Sequence, residues 1–218
     1  MFAELINRSP APISVLSAES TSSFILDYDG DARVTSVGAI GDQWTVNDVA
    51  RCKFATEWIH IAPLLRDEFG AETLAAIVAD GHRISLDGQG LVRPPALGEL
   101  ILDHNFDPEI LASISILKLA SEEADALAGG VFDKAVAERL GIPEILVTFG
   151  SEGCALYVDG TVSHVPPAAV VSGVHATGAG DCFTVAYVAA RTRRTPPREA
   201  AKVASLAVVE MLEERSGR

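Results

Sequence analysis

The residues with the clearest chemical potential lie in one glycine-rich stretch, residues 175–183 (HATGAGDCF). Gly178 and Gly180 allow a tight backbone turn, and the apolar run CFTVAYVAA that follows predicts a buried helix. Successive N–H groups at such a helix start form a cradle for an anion. The carboxylate of Asp181 would repel a phosphate there, but it is a good acceptor for a nearby hydroxyl proton. This combination suits phosphoryl transfer to an alcohol.

The same stretch has a simpler interpretation as an ordinary helix N-cap. Asp is favoured at helix starts and Gly is common in turns, so a short Gly-x-Gly-Asp motif also occurs without any function. The choice between the two interpretations depends on the elements that position the stretch.

Strand-like and helix-like segments alternate from about Glu57 onward. The predicted strands are WIHIA (58–62), RISLD (83–87), ISILKLA (114–120) and EILVTF (144–149). The predicted helices cover Leu65 to Ala79, Glu122 to Ala128, Phe132 to Leu140, Ala179 to Arg191 and Pro197 to Glu214. Such alternation predicts βαβ units and a parallel sheet buried on both faces.

Two hairpins are predicted in addition to the parallel sheet. The first joins Ser22 to Tyr28 with Ala32 to Val37 through the turn Asp29-Gly30-Asp31, and the second is CALYVDGTVSHV (154–165). They predict a small antiparallel element at the start of the chain and an antiparallel extension near the Gly-rich stretch.

Polar or Gly-rich clusters follow three of the predicted strands. They are Asp87, Ser121 to Glu123, and Gly150 to Gly153. Ligands of open α/β sheets bind beyond the carboxyl ends of the strands, so the three clusters are expected to line one nucleotide cleft.

Composition narrows the class of protein. The net charge of −13 argues against a nucleic-acid or anionic-membrane partner, because phosphate backbones demand clustered Lys and Arg. The 48% of hydrophobic residues can form a sizeable core. Three scattered cysteines without a CxxC pair, and an N-terminus that does not resemble a signal peptide, predict a reduced, cytoplasmic protein.

The sequence TGAGD before a buried helix resembles the signature of the PfkB carbohydrate kinases. SLDGQGLVR, ILKLASEEADAL and ILVTFGSEGCALY precede it in the family's order, and the resemblance runs from about Ser22 to the C-terminus. It implies a ribokinase-like three-layer α/β sandwich with a mostly parallel central sheet and a small β lid hairpin. We expect one domain over residues 1–218, with a lid-like segment at about 13–50 and a nucleotide-binding core at about 51–218.

The resemblance also implies roles for individual residues in an ATP- and Mg²⁺-dependent kinase. Asp181 would be the catalytic base, with the amides of Gly178, Ala179 and Gly180 as the anion hole. The residues implied near ATP are Thr148, Gly150, Ser151, Gly153 and Thr177, with Ala204, Ser205 and Ala207 flanking the adenine. Glu123 would lie near magnesium. The plain alternatives are an ordinary turn for TFGSEG, a helix start for Glu123 and helix packing for the small residues.

The sequence departs from the family's pattern in three places. Ala120 replaces the usual Asn, and His175 replaces an Asp that the family associates with a monovalent-cation loop, so cation activation is not expected. Nothing before Ser22 resembles the family's substrate-gripping GG-x-x-N stretch. We therefore expect that the family's first strands are missing and, because an uncovered sheet edge invites pairing, that the protein is a homodimer.

The phosphoryl acceptor is less clearly indicated. Asp87 to Arg93 (DGQGLVR) resembles a stretch of the myo-inositol-kinase-like subgroup, which predicts a sugar or polyol substrate contacted by Asp87 and Arg93. Capping of the next turn by Asp87 and a surface ion pair of Arg93 are the plain alternatives. Two other functions remain open, a nucleoside kinase of the same fold and a non-catalytic nucleotide-binding protein.

Overall fold

The computed structural model describes residues 11–29 and 32–217, so the predicted turn Asp29-Gly30-Asp31 lies partly outside it. The strands are β1 (Ser23–Asp29), β2 (Ala32–Ala39), β3 (Trp58–Ile61), β4 (Arg83–Asp87), β5 (Gly98–Glu99), β6 (Ile114–Ala120), β7 (Glu144–Thr148), β8 (Cys154–Val158) and β9 (Thr161–Val165). The helices are α1 (Val46–Arg51), α2 (Ala71–Ala79), α3 (Gln89–Val92), α4 (Ser121–Ala128), α5 (Lys134–Leu140), α6 (Ala179–Thr192) and α7 (Pro197–Ser216), with 3₁₀ turns at Pro108–Ser113 and Gly150–Glu152.

The larger sheet has the strand order β3-β4-β6-β7-β8-β9. Neighbouring strands from β3 to β7 pair in parallel, and β8 and β9 extend the sheet antiparallel. The four residues from Ile84 to Asp87 are all buried, as expected for a strand covered on both faces. The predicted mostly parallel α/β sheet is therefore confirmed.

Helices cover both faces of this sheet, which gives three layers. Leu117 and Leu119 of β6 belong to the core formed with α2, α4 and α5, whereas Ile116 belongs to the core formed with α6 and α7. Successive side chains of a strand point to opposite faces, so Lys118 shares the α6 side with Ile116. A lysine is thereby directed into the layer between the sheet and α6.

The smaller sheet has one strand more than the predicted hairpin. β1 and β2 pair antiparallel as expected, and β5 adds a third strand on β2 through Ser36 and Val37. β5 was not predicted, because a strand of only two residues has no detectable periodicity. Since β5 lies far outside residues 13–50, the smaller sheet draws on two separate parts of the chain, and the lid-like segment at about 13–50 stays a prediction.

One predicted helix begins six residues too early. The chain from Leu65 to Gly70 forms turns, and α2 starts only at Ala71 with Gly70 as its N-cap. Asp67 has a positive φ of 69°, which is incompatible with helical backbone. Leu65 is fully buried nevertheless, so its apolar character reflects core packing and not helical periodicity. The helices α1 and α3 were not predicted.

The two C-terminal helices pack along each other and cover the sheet face that carries Ile116. α7 is the longest element with 20 residues, and its sequence is interrupted by charged side chains. Within the part of the chain that the structure describes, no helix combines the length and the apolar character needed to cross a membrane.

A buried ionic network ties the end of α6 to the start of β7. The Glu144 carboxylate accepts hydrogen bonds from the Tyr187 hydroxyl at 2.6 Å and from Nε and Nη2 of Arg191 at 3.0 Å and 2.6 Å. The Glu144 hydrogen bonds raise the pKa of Arg191, and burial together with the Glu144 charge raises the pKa of Tyr187. Both oxygens of Glu144 have hydrogen-bond donors in this Glu144 network, which we therefore regard as structural.

Candidate active site

The Gly-rich stretch forms the turn and first residues of α6, as predicted. Gly178 adopts a left-handed conformation (φ 82°) and is the N-cap, and Asp181 is exposed in the first turn. The amides of Gly180 and Asp181 have no acceptor within the helix because they belong to its first turn. An accessible carboxylate therefore stands beside free amide donors.

The predicted anion hole needs one correction. The amide of Ala179 donates to the carbonyl oxygen of Ala176 at 2.9 Å, so this donor is already used by the turn itself. The tight turn at Gly178 creates this bond. The free donors of this helix start are thus shifted towards Gly180 and Asp181.

A buried lysine, which the sequence analysis did not select, lies directly beside this turn. Lys118 of β6 is only 6% exposed, and its Nζ lies 3.0 Å from the position that a Cβ on Gly180 would occupy. Any side chain at Gly180 would press on the ammonium group. The glycine thus has a second function besides the turn, because it lets a positive charge approach the helix start.

Asp87 holds Lys118 and is not accessible to a substrate. Its carboxylate is fully buried, with Oδ2 at 3.5 Å from Lys118 Nζ. The backbone of Gly88 packs so closely against β6 that a Cβ on this residue would lie 2.2 Å from the Leu119 side chain. The predicted contact of Asp87 with a substrate is therefore corrected, because the close packing of β4 on β6 shields the carboxylate.

Among the described residues, Oδ2 of Asp87 accepts no hydrogen bond although it is buried. The Lys118 ammonium lies 3.5 Å from this oxygen, which is too far away for a good hydrogen bond. The pair is therefore held by charge and packing, and the ammonium keeps hydrogen-bonding capacity for a ligand.

His60 of β3 completes the group of titratable residues behind the turn. Its Nδ1 lies 3.2 Å from the carbonyl oxygen of Ser85 and 3.3 Å from the Ser85 hydroxyl oxygen, and the tautomer of the ring decides whether Nδ1 donates or accepts. Burial lowers the pKa of His60, and the charges of Asp87 and Asp181 oppose this effect in part. We call His60, Asp87 and Lys118 the charge cluster.

A cleft of about 200 Å³ opens beside the helix start, between the loop after β9 and α7. Thr148, Gly150, Ser151 and Gly153 line it on one side, and Ser205 lines it on the other. Apolar side chains form most of the remaining wall, including Val170, Phe183, Val209 and Leu212. The cleft therefore has a polar mouth at the turn and an apolar interior.

Gly153 is the cleft residue that most clearly requires glycine. It has a positive φ of 91°, and a Cβ there would lie 2.3 Å from the carbonyl oxygen of Val165. β8 and β9 can pair at this point only because no side chain intervenes. The close backbone packing therefore requires glycine at this position of the predicted TFGSEG turn.

The small residues of α7 divide between the core and the cleft. Ala204 is fully buried against the sheet and does not line the cleft, which corrects its predicted position beside an adenine. Ser205, one residue further round the helix, faces the cleft, and its Oγ accepts from the amide of Ala168 at 2.7 Å. Ala207 and Thr177 also lie outside the cleft lining.

Arg93 and Glu123 form a separate ion pair between α3 and α4. Arg93 Nη2 lies 3.2 Å from Oε1 of Glu123, and Oε2 of Glu123 accepts from the amide of Ala120 at 2.9 Å. Each carboxylate oxygen thus accepts one hydrogen bond and keeps a further lone pair, and the place of Glu123 near magnesium stays a prediction. No group of three or more His, Cys, Asp or Glu side chains capable of holding a metal occurs in residues 11–29 and 32–217.

Sequence reasoning missed Lys118 and His60, although both left a signal. Each is a polar residue inside an otherwise apolar strand, ISILKLA and WIHIA, that is predicted to be buried on both faces. A lysine is rarely buried without a partner. The alternation of side chains directs Lys118 to the α6 layer, but only the packed structure shows that Gly180 meets it there.

Comparison with known proteins decides the family. A model of the pfkB family of carbohydrate kinases matches residues 100–217, which include the charge cluster's Lys118, the cleft and the helix start. This chain belongs to the pfkB carbohydrate kinase family. The match begins after the small sheet, so the family assignment rests on the second half of the chain.

Relatives with an assigned activity are found among both sequences and structures. The chain is 30% identical over 122 residues to an inositol 3-kinase from Zea mays and 34% identical over 118 residues to a ribokinase from Arabidopsis thaliana. These regions cover 54% and 49% of the chain, but only 30% of each relative.

A solved pyrophosphate-dependent kinase of the ribokinase family has the same fold. It superposes with a TM-score of 0.81 at 26% identity, over 96% of this chain and 76% of its own. The predicted ribokinase-like fold and family are confirmed by these comparisons.

Proposed function

We propose that the protein is a phosphotransferase that moves a phosphoryl group from a nucleotide to a hydroxyl of a sugar or polyol. The observation that carries this proposal is the position of Asp181. Its exposed carboxylate stands in the first turn of α6, beside free amide donors and the buried ammonium of Lys118. A base next to an anion site is the arrangement that phosphoryl transfer to an alcohol requires.

In the proposed reaction, Asp181 accepts the proton of the acceptor hydroxyl as its oxygen attacks the terminal phosphorus of the donor. The bond between that phosphorus and the bridging oxygen breaks, which leaves ADP and a phosphate ester. The amides of Gly178, Gly180 and Asp181 together with Lys118 offset the negative charge on the transferred group. Asp87 keeps the Lys118 ammonium in place.

The apolar interior of the cleft supports ATP as the donor. A flat base would lie against Val170, Val209 and Leu212, and the phosphates would extend past Gly150, Ser151 and Gly153 to the start of α6. Thr148 and Ser205 would supply polar contacts at the two walls. Mg²⁺ would accompany the phosphates and neutralise their charge, and Glu123 is the acidic residue proposed to lie near it.

Pyrophosphate is the second candidate donor. The solved relative at 26% identity is a pyrophosphate-dependent kinase, and it covers nearly the whole of this chain. Pyrophosphate would use the helix start and Lys118 but would leave the apolar interior of the cleft empty. ATP would therefore contact Val170 and Leu212, whereas pyrophosphate would not.

The acceptor proposed first is a sugar or an inositol-like polyol, because the sequence relatives are an inositol 3-kinase and a ribokinase. Arg93 is the remaining candidate for a substrate contact, since Asp87 is buried. A nucleoside acceptor and a non-catalytic nucleotide-binding role stay as alternatives. The division into a lid and a core, the homodimer and the cytoplasmic location also stay proposals.

The experiment measures phosphate-ester formation with ATP or pyrophosphate as donor and a panel of sugars, inositols and nucleosides as acceptors. Asp181→Asn should lower turnover by about 10²- to 10⁴-fold, because the base is lost and the shape is kept. Asp80→Asn, an exposed change after α2, is the matched control and should be fully active.

The donor is tested with Leu212→Arg, which fills the apolar interior of the cleft. This variant should lose activity with ATP and retain any activity with pyrophosphate. Full activity of Asp181→Asn would remove the proposed base. Saturable ATP binding without turnover on any acceptor would favour the non-catalytic alternative.

A further inference from the structure

An arginine at the end of the last helix holds the loop that leads into the candidate anion site. Nη1 of Arg215 donates to the carbonyl oxygen of Thr177 at 2.6 Å and lies 3.4 Å from that of His175. Its Nη2 lies 3.8 Å from the position that a Cβ on Gly178 would occupy. One guanidinium group thus joins the C-terminal turn of α7 to the N-terminal turn of α6.

This loop has little support of its own. Between β9 and α6 the chain forms no helix or strand, and the bond from the Ala179 amide to Ala176 closes only its last turn. The carbonyl oxygens of His175 and Thr177 converge on a single positive charge. Carbonyl oxygens that converge in this way are ligands for a cation, and here the cation belongs to the protein.

The position of Arg215 also links two parts of the candidate site. α7 carries Ser205 and Leu212 of the cleft wall, and Arg215 follows Leu212 by one turn. A shift of this helix would therefore move the loop that sets the position of Gly178 and Asp181. Burial raises the pKa of Cys182 in the first turn of α6, and the charge of Arg215 opposes this rise, so that charge reaches the helix start.

We propose that Arg215 is a positioning residue that acts as a built-in cation, fixing the 175–177 loop so that the turn at Gly178 and the Asp181 carboxylate keep their reactive geometry. The proposal rests on the proposed phosphotransferase function. It makes two specific statements, that the charge of Arg215 is needed and that no external monovalent cation is required while it is present.

The kinetic test compares Arg215→Met, Arg215→Lys and Arg198→Met. Arg198 is exposed in the first turn of the same helix, so its loss changes the net charge equally at a distance of about 25 Å. Arg215→Met should lower kcat by about 10- to 100-fold with little change in the acceptor KM, because the base is displaced and binding is not. Arg215→Lys, or added guanidinium or potassium ions, should restore part of the loss.

A second measurement does not depend on activity. In a Cys52→Ser background, the labelling rate of Cys182 by an aromatic disulfide is followed against pH. Cys154 does not interfere, because it is buried and burial raises its pKa to about 11. Without the positive charge of Arg215, the midpoint of Cys182 labelling should move to higher pH in Arg215→Met and stay in place in Arg198→Met.

The outcomes separate this proposal from the proposed function. If no donor and acceptor pair gives turnover, the labelling shift alone still tests whether the guanidinium stands at the helix start. Equal kcat and equal labelling midpoints for Arg215→Met and Arg198→Met would overturn the proposal. A loss of kcat that neither lysine nor guanidinium reduces would show a packing role and would overturn it equally.

Discussion

A buried acidic residue of the sheet lies near each end of helix α6, and the two acids differ in their hydrogen bonding. At the C-terminal end, Glu144 receives hydrogen bonds from Tyr187 and Arg191, and both of its oxygens are used. At the N-terminal end, Asp87 faces Lys118 at 3.5 Å, and its Oδ2 accepts no hydrogen bond from the described residues. Both acids are nearly inaccessible to water.

The difference shows what each pair is suited to do. Removing charges from water is compensated only by good geometry and complete hydrogen bonding, which the Glu144 network has. The charge cluster lacks this compensation, so its incomplete pairing costs stability. An ammonium that is not saturated by its own carboxylate can bind a phosphate, which is the reason we assign the cluster to function and the Glu144 network to folding.

The largest expected effect on the fold comes from breaking the Glu144 network. Glu144→Ala leaves the Arg191 charge without its partner, and we expect the free energy of unfolding to fall by about 3–5 kcal/mol. Tyr187→Phe, which removes one hydrogen bond to a charged group, should cost about 1.5–3 kcal/mol. Urea unfolding at neutral pH measures both changes.

Turnover per folded molecule should be unchanged in Tyr187→Phe, because this residue lies two turns of α6 away from Asp181. A loss of turnover larger than the loss of stability would show that the two ends of the helix are coupled and would contradict the comparison.

Lys118→Met should have the opposite pattern, with the main effect on activity. Turnover should fall by about 10²- to 10³-fold, because a preorganised positive charge at the transferred group is lost. The single variant also leaves the buried Asp87 carboxylate unpaired, so it should be less stable. The double variant Lys118→Met with Asp87→Asn removes both charges, and it should regain stability in urea unfolding without regaining turnover.

This double variant is the direct test of the assigned roles. If it were fully active in the donor and acceptor assay, Lys118 would be a structural residue like Arg191. If it were no more stable than Lys118→Met, the cost of the unpaired Asp87 would have been misjudged.

The smallest expected effect concerns the pH dependence of His60. Burial lowers its pKa in the folded protein below the ordinary value of about 6.5, so the unfolded chain binds the proton first as the pH falls. The free energy of unfolding should therefore decrease below about pH 6.5, by at most about 1.4 kcal/mol per pH unit from this group. His60→Gln should make the decrease shallower between pH 7 and pH 5.

His164→Gln is the matched control, because His164 is exposed on β9. An identical pH dependence for the wild type and His60→Gln would show that burial of His60 does not affect its protonation. Urea unfolding at several pH values measures the three proteins together.

Periodicity and turn chemistry predicted most of the regular structure, and the exceptions have physical reasons. β4, β6 and the hairpin of β8 and β9 have the predicted limits, because apolar strands bounded by polar turns leave a strong local signal. The helix predicted from Leu65 was wrong for its first six residues, because Leu65 is apolar for core packing and Asp67 has a positive φ that ends any helix there. β5 is too short to have any periodicity.

The candidate site, too, was predictable from the sequence only in part. The sequence by itself determined that Gly178, Gly180 and Asp181 stand at a helix start, since glycine in the turn and aspartate in the first helical turn are local preferences. It also determined that the turn after β7 lies at the same edge of the sheet, because carboxyl ends of parallel strands share one edge.

Only the tertiary structure decided which charges surround that helix start. His60, Lys118 and Arg215 come from β3, β6 and the end of α7, far apart in the sequence. It also decided that Asp87 is buried beside Lys118 and that Ala204 packs in the core. Burial and ion pairing depend on which elements meet across the sheet, and no local pattern of residues contains that information.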